Sequence, residues 1–160
     1  LGRVPEDRHA EGAVGDLAVW ENAVLERLRE PAFSSWGFVR RAAAKAHAAD
    51  LITRFDIRGA APETRTRLLS GGNMQKLILG RNLAARPRFL LANQPTRGLD
   101  EGAIAAVHAE LLAARAAGAA ILLEDWHPAG ERMEDPLSIR ELVYIHFHQH
   151  SHEKQMPRVR

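Results

Sequence analysis

Two short polar segments, each joined to an apolar run, restrict the folds open to this chain more than its composition does. After Leu69-Ser70-Gly71-Gly72-Asn73, apolar residues fall at Met74, Leu77, Ile78 and Leu83, and Pro87 closes the run. That spacing predicts a helix opening at Ser70, with the proline as its stop. Arg88 to Ala92 then reads as a short buried strand, because Phe89, Leu90 and Leu91 are a continuous apolar stretch. It ends in Asn93 and Gln94 and a Pro-Thr-Arg-Gly turn. Further on, Ile104, Val107, Leu111 and Leu112 make the stripe of a second helix that Gly118 ends, and a second strand runs from Ala119 to Leu123. Two strands with a helix between them predict a parallel pair joined by a right-handed crossover. The expected class is therefore α/β, with a parallel strand-helix-strand unit.

The polar segments carry the chemistry. The first turn of a helix has unpaired N–H groups and a partial positive charge, and it attracts anions. Glycine brings the backbone close to such a ligand because it has no Cβ. Ser70 can cap the helix or offer its hydroxyl to a phosphate oxygen; an ordinary serine cap is the alternative reading. In open α/β sheets ligands bind beyond the carboxyl ends of the strands, which is where Asn93 and Gln94 stand.

Upstream, residues 11 to 68 read as helical. Leu17, Trp20, Val24, Leu25 and Leu28 share one helical face, and Val39, Ile52 and Phe55 mark a second helix. Pro31 and Ser34-Ser35 separate them. Gly12-Ala13-Val14-Gly15 fits the entry to a helix, and no GxxxxGK[ST] phosphate loop occurs in the chain. His108 lies on the stripe of the later helix, where a satisfied interior histidine is expected rather than a ligand.

The sequence LSGGNMQK, then NQPTRGLD, then a helix and an apolar strand, resembles the ATP-binding subunits of ABC transporters. The resemblance is to the C-terminal half of the double-domain ATPases for simple sugars and nucleosides. It is supported by VPEDRHAEG (Val4 to Gly12), Val19 to Asn22 and Arg29 to Phe33, and it covers roughly residues 2 to 123. The resemblance implies a partial P-loop NTPase fold. Residues 1–10 would be a Q-loop-like segment, 11–68 the helical subdomain, 69–126 the signature, Walker B and D-loop part, and 127–160 a divergent tail.

It also implies roles. Ser70, Gly71, Gly72 and Asn73 would form the signature that meets the γ-phosphate of ATP held by an opposing domain. Asp100 would lie in the D-loop, Glu6 at the Q-loop position and Glu124 at the switch. Asn93 and Gln94 match the Walker B aspartate and the catalytic glutamate, and both depart from the acids. Neutral Asn93 cannot offset the charge of Mg²⁺ as a carboxylate does, and Gln94 cannot usefully take a proton from water. The expectation is a chain whose own site is degenerate while its signature serves a second nucleotide-binding domain. ATP and Mg²⁺ would then be held mainly by that partner. The P-loop and the adenine-stacking aromatic are expected before Leu1, in a longer protein. The alternatives are a non-catalytic interaction module and an inactive truncated remnant.

Composition sets outer limits. The chain has 160 residues, 46% apolar, with no cysteine, so disulfides and Cys-based metal sites do not apply. The net charge of +2, with basic residues scattered among acids, gives no reason to expect nucleic acid. No apolar run approaches the ~20 residues that span a bilayer. The resemblance implies a cytoplasmic protein, peripheral on the inner face of the membrane and docked on permease subunits. His146, His148, His150 and His152 alternate as a strand's ligands for Zn²⁺ or Ni²⁺ would. An unstructured tail without a metal site is the favoured reading.

Overall fold

The computed structural model describes residues 1–124 and 143–144. In chain order the elements are β1 (Gly2–Val4), α1 (Val19–Val24), the hairpin strands β2 (Ser34–Ser35) and β3 (Phe38–Val39), α2 (Arg41–Arg54), α3 (Gly71–Ala84), β4 (Phe89–Asn93), α4 (Glu101–Ala116), β5 (Ala120–Glu124) and β6 (Val143–Tyr144). A π-type turn covers Arg8–Gly12, and 3₁₀ turns cover Leu25–Arg27 and Thr66–Leu68.

The sheet has the order β1-β4-β5-β6, and every pairing in it is parallel. The anticipated strand-helix-strand unit is present as β4-α4-β5, each strand one residue later than the sequence reading. Register sets Val4 beside Ala92 and Asn93 beside Glu124, so the carboxyl ends of three strands lie along one edge. Strand β1 was not anticipated; three residues are too short to show a period. Phe89, expected inside, is 39% exposed at the start of β4, whereas Leu90 and Ala92 are fully buried.

Helix α3 is the centre of the molecule. Met74, Leu77, Ile78, Leu79 and Leu83 are buried, and so are the polar Gln75, Arg81 and Asn82. The polar members orient neighbouring elements. The Asn82 amide donates to the Ile78 carbonyl at 2.9 Å, and its oxygen accepts from the Arg3 N–H of β1, also at 2.9 Å. Arg81 reaches α1 and the turn after it, donating to the Asn22 carbonyl at 3.3 Å and pairing with Glu26 at 2.9 Å. Gly80 lets α2 close on α3: a Cβ there would stand 2.7 Å from the Phe55 ring.

The segment before α3 departs most from its periodic reading. Only Val24 of the predicted stripe Leu17, Trp20, Val24, Leu25 and Leu28 is fully inside, and Leu25 is 38% exposed. The helix gives way to a 3₁₀ turn at Leu25, which rotates the stripe out of line. Inward instead are Val19, Ala23 and the polar Asn22. The Asn22 side chain accepts from the Val14 N–H and donates to the Val14 carbonyl, both at 2.9 Å, and to Thr66 Oγ1 at 2.8 Å. In α2 the buried face is Ala44, Ala48 and Leu51, with Phe55 just past its end. Val39, expected on that helix, belongs to the hairpin and is 40% exposed. Ser34-Ser35, expected as a break, is the hairpin's first strand. Its turn carries Trp36 and Gly37 at φ 53° and 81°, the pattern of a two-residue hairpin loop.

Gly12, expected at the entry to a helix, ends the π-type turn against Ile78. In α4 the inward residues are Ala103, Val107 and Leu111, with Leu112 outside and His108 half-buried. Residues 127–160, with His127 and the four alternating histidines, lie outside the described residues apart from β6.

Candidate functional site at the mouth of α3

Ser70 has extended backbone and caps α3: its Oγ accepts from the Asn73 N–H at 3.4 Å and from the Asn73 side-chain amide at 2.9 Å. Asn73 is fixed from its other end, accepting from the Arg58 N–H at 3.0 Å. The serine is exposed and Gly71, Gly72 and Asn73 are half-buried, so the mouth of the helix opens outward. Leu69 is turned into the core.

Asp100 caps α4 in the same way, accepting from the Ala103 N–H at 2.9 Å. The two helix mouths meet. Ser70, Gly72, Asn73, Lys76 and Asp100 line one groove of about 540 Å³ between α3, α4 and the turn after α2. Its charges are mostly spoken for: Asp56 pairs with Arg58 at 2.9 Å and with Lys76 at 3.5 Å, and Arg54 pairs with Glu110 at 3.0 Å.

Asn93 and Gln94 stand apart from this groove, at the end of β4. Both are half-buried. Gln94 leaves the strand with φ 46°, and its carbonyl accepts from the Arg97 N–H at 3.1 Å to close the turn. Glu124 is the strand neighbour of Asn93 by register. Glu6 lies two residues beyond β1, where it accepts from Arg97 Nη1 at 2.7 Å. The sequence-expected residues thus form two groups: Ser70, Gly71, Gly72, Asn73 and Asp100 at the helix mouths, and Glu6, Asn93, Gln94 and Glu124 along the strand ends.

A residue without a role in the sequence reading joins them. Arg8 donates from Nη1 to the Arg97 carbonyl at 2.9 Å, and its guanidinium lies against Gly71 and Gly98. Asp7 starts the π-type turn ahead of it, accepting from the N–H groups of His9 and Ala10 at 2.9 Å each. Those two backbone donors, Ala10's foremost, hold the Asp7 carboxyl below its ordinary value of 3.8. The stretch VPEDRHAEG contains Arg8, but no periodicity marks an arginine that acts across the fold.

The parallel sheet, the central α3 and the helix mouths along the strand ends have the fold of part of an ABC-type ATPase cassette. The ATP-binding cassette MJ0796, solved as a dimer in a post-hydrolysis state with ADP and Pi, superposes with a TM-score of 0.63 at 21% identity, over 79% of this chain and 52% of that one. No family model matches the chain. Curated relatives do. The nucleoside import ATP-binding protein NupA of Lactococcus lactis is 43% identical over 123 residues, 77% of this chain and 24% of its own length. The guanosine import ATP-binding protein NupO of Bacillus subtilis matches with the same identity and shares. A putative carbohydrate transport ATP-binding protein of Mycoplasma pneumoniae is 44% identical over 146 residues, 91% of this chain and 25% of its own. Over most of its length the chain is similar to the ATP-binding proteins of ABC import systems. It spans about a quarter of the length of these relatives.

Proposed function

We propose that the chain is part of the ATP-binding subunit of an ABC importer for nucleosides or simple sugars, and that it supplies its Ser-Gly-Gly signature to the ATP site of a second nucleotide-binding domain. The observation that carries this reading is the shared groove, in which the mouth of α3 with Ser70, Gly72 and Asn73 opens beside Asp100. A signature and a D-loop acting across a domain interface need that juxtaposition.

Among the described residues, the mouth of α3 is the place that fits a phosphate. The first turn of α3 offers backbone donors and a helix dipole to an anion, and Ser70 Oγ stands exposed beside them. ATP would supply the phosphates there, gripped by the partner domain. The end of β4 does not fit Mg²⁺. Asn93 and Gln94 bring neutral amides where a nucleotide-bound divalent cation calls for negative oxygen donors. Among the described residues no group of three or more His, Asp or Glu is placed to hold a metal. The metal is therefore assigned to the partner's site.

General-base assistance contributes about 10²–10⁴-fold, and Gln94 cannot provide it, so the chain alone is expected to be silent. Among the described residues no helix is long and apolar enough to cross a membrane. The reading has the chain docked on permease subunits at the cytoplasmic face, without nucleic acid. The neutral pair Asn93 and Gln94 also favours a second reading, a non-catalytic module that only transmits motion to membrane subunits. ATP turnover separates the two. Added to a separately expressed, intact ABC nucleotide-binding domain, the chain should raise turnover, and Ser70→Arg should abolish the gain. A gain that persists in Ser70→Arg would reject the signature role.

A further inference from the structure

The glycines of the signature do not face open space on their side-chain side. A Cβ on Gly71 would stand 2.8 Å from Arg8 Nη2 and 3.1 Å from Arg8 Cζ, and one on Gly72 would stand 3.3 Å from Leu99. Gly98, with φ 71°, also faces the guanidinium, at 3.4 Å from a would-be Cβ. The same guanidinium donates to the Arg97 carbonyl at 2.9 Å. Arg97 in turn reaches back to Glu6, two residues before Arg8, at 2.7 Å. Three segments far apart in sequence are thereby tied at one point: the exit from β1, the start of α3 and the turn after β4.

We propose that Arg8 is a positioning residue for the signature: its guanidinium fills the space left by the missing side chain of Gly71 and locks the mouth of α3 to the turn after β4 and to the segment carrying Glu6. Gly71 is then glycine for the sake of Arg8 rather than for the approach of a phosphate. The planar fork matters as well as the charge, since different atoms of it meet two glycines and donate to a carbonyl. Movement of the Glu6 segment is carried through this contact to Gly71, the residue after Ser70. The inference rests on the signature reading above, because it explains how that signature is aimed.

The test uses the full 160-residue chain with an intact ABC nucleotide-binding domain and Mg-ATP, reading stimulated turnover, with a thermal melt of every variant as a check of folding. Arg8→Ala is expected to lower the stimulation about 10- to 100-fold, the range that loss of positioning produces. Gly71→Ala alone should do the same by displacing the guanidinium. In the double variant the second change should cost nothing further, because the space is free. Arg8→Lys keeps the charge without the fork and should behave as Arg8→Ala. Full stimulation in Arg8→Ala or in Arg8→Lys overturns the proposal, and so does a further loss from Gly71→Ala in the Arg8→Ala background. Ser70→Arg separates the two levels. Stimulation lost there but kept in Arg8→Ala rejects only the role of Arg8. Stimulation kept in Ser70→Arg, or missing with the unaltered chain, rejects the signature reading and the role of Arg8 with it.

Discussion

The stretch from Val14 to Leu69 and the stretch from Ser70 to Glu124 are held by different means. In the second, α3, β4 and β5 meet through Leu77, Ile78, Leu90, Ile121 and Leu123, all 5% exposed or less. Shape and apolar area do the holding there. In the first, small residues such as Ala23, Ala44 and Ala48 share the interior with Val19, Val24 and Leu51, and the segment is closed by a polar node in which Asn22, Val14 and Thr66 satisfy one another. Arg81 then ties the node to α3. The lesson is that a helix's period reports burial well where large aliphatic residues pack, and poorly where alanines and hydrogen bonds do the work.

The largest effect should come from the apolar side of this comparison. Leu90→Ala in β4, a fully buried side chain, is expected to destabilise the chain by about 2–5 kcal/mol. Urea denaturation measures it, and a loss well under the lower bound would mean that the sheet is less tightly packed than its exposure says. Next is the polar node. Asn22→Ala leaves Thr66 Oγ1 and both main-chain groups of Val14 without their partner, at about 1–3 kcal/mol for a buried polar group stranded in this way. If the node works by mutual satisfaction, Thr66→Val should cost less in the Asn22→Ala background than in the unaltered chain. Additive losses would break that account.

The smallest effect depends on pH. Burial, aided by the Arg27 guanidinium, holds His47 below its ordinary 6.5. Arg27 lies 4.8 Å over the Phe33 ring, which the imidazole also contacts at a centroid distance of 5.1 Å. The folded chain therefore favours neutral His47. Its contribution is complete above the unfolded value and is lost as pH falls through the lower, folded value. Stability measured from pH 7.5 downward should decline below about 6.5, and His47→Gln should flatten that part of the curve while leaving the steeper carboxylate-driven loss at lower pH.

The same contrast explains what could be read in advance. The helix behind Ser70, the strand at 89–93 and the following helix and strand were legible because leucine, isoleucine and proline mark their faces and ends. Ser70 was legible as a site candidate because it stands directly before a helix, where a side-chain oxygen has an N–H to accept from, whereas Asp100 was marked only by the resemblance of its segment. β1 was not, since three residues show no alternation. Nor was the inward turn of Asn22, whose partners lie 8 and 44 residues away. Arg8 escaped for the same reason: its contacts are 63 and 89 residues distant, at Gly71 and Arg97, and no local pattern encodes them.

The bend at Gln94 has a consequence of its own. With φ at 46°, this position has already accepted a backbone shape that asparagine and glycine enter more readily than glutamine. Because the shape belongs to the main chain, glutamine and glutamate would hang from the same scaffold. One amide-to-acid exchange could alter the reactivity of the strand tip while the loop around it stayed as it is, which makes Gln94→Glu a clean probe of charge rather than of folding.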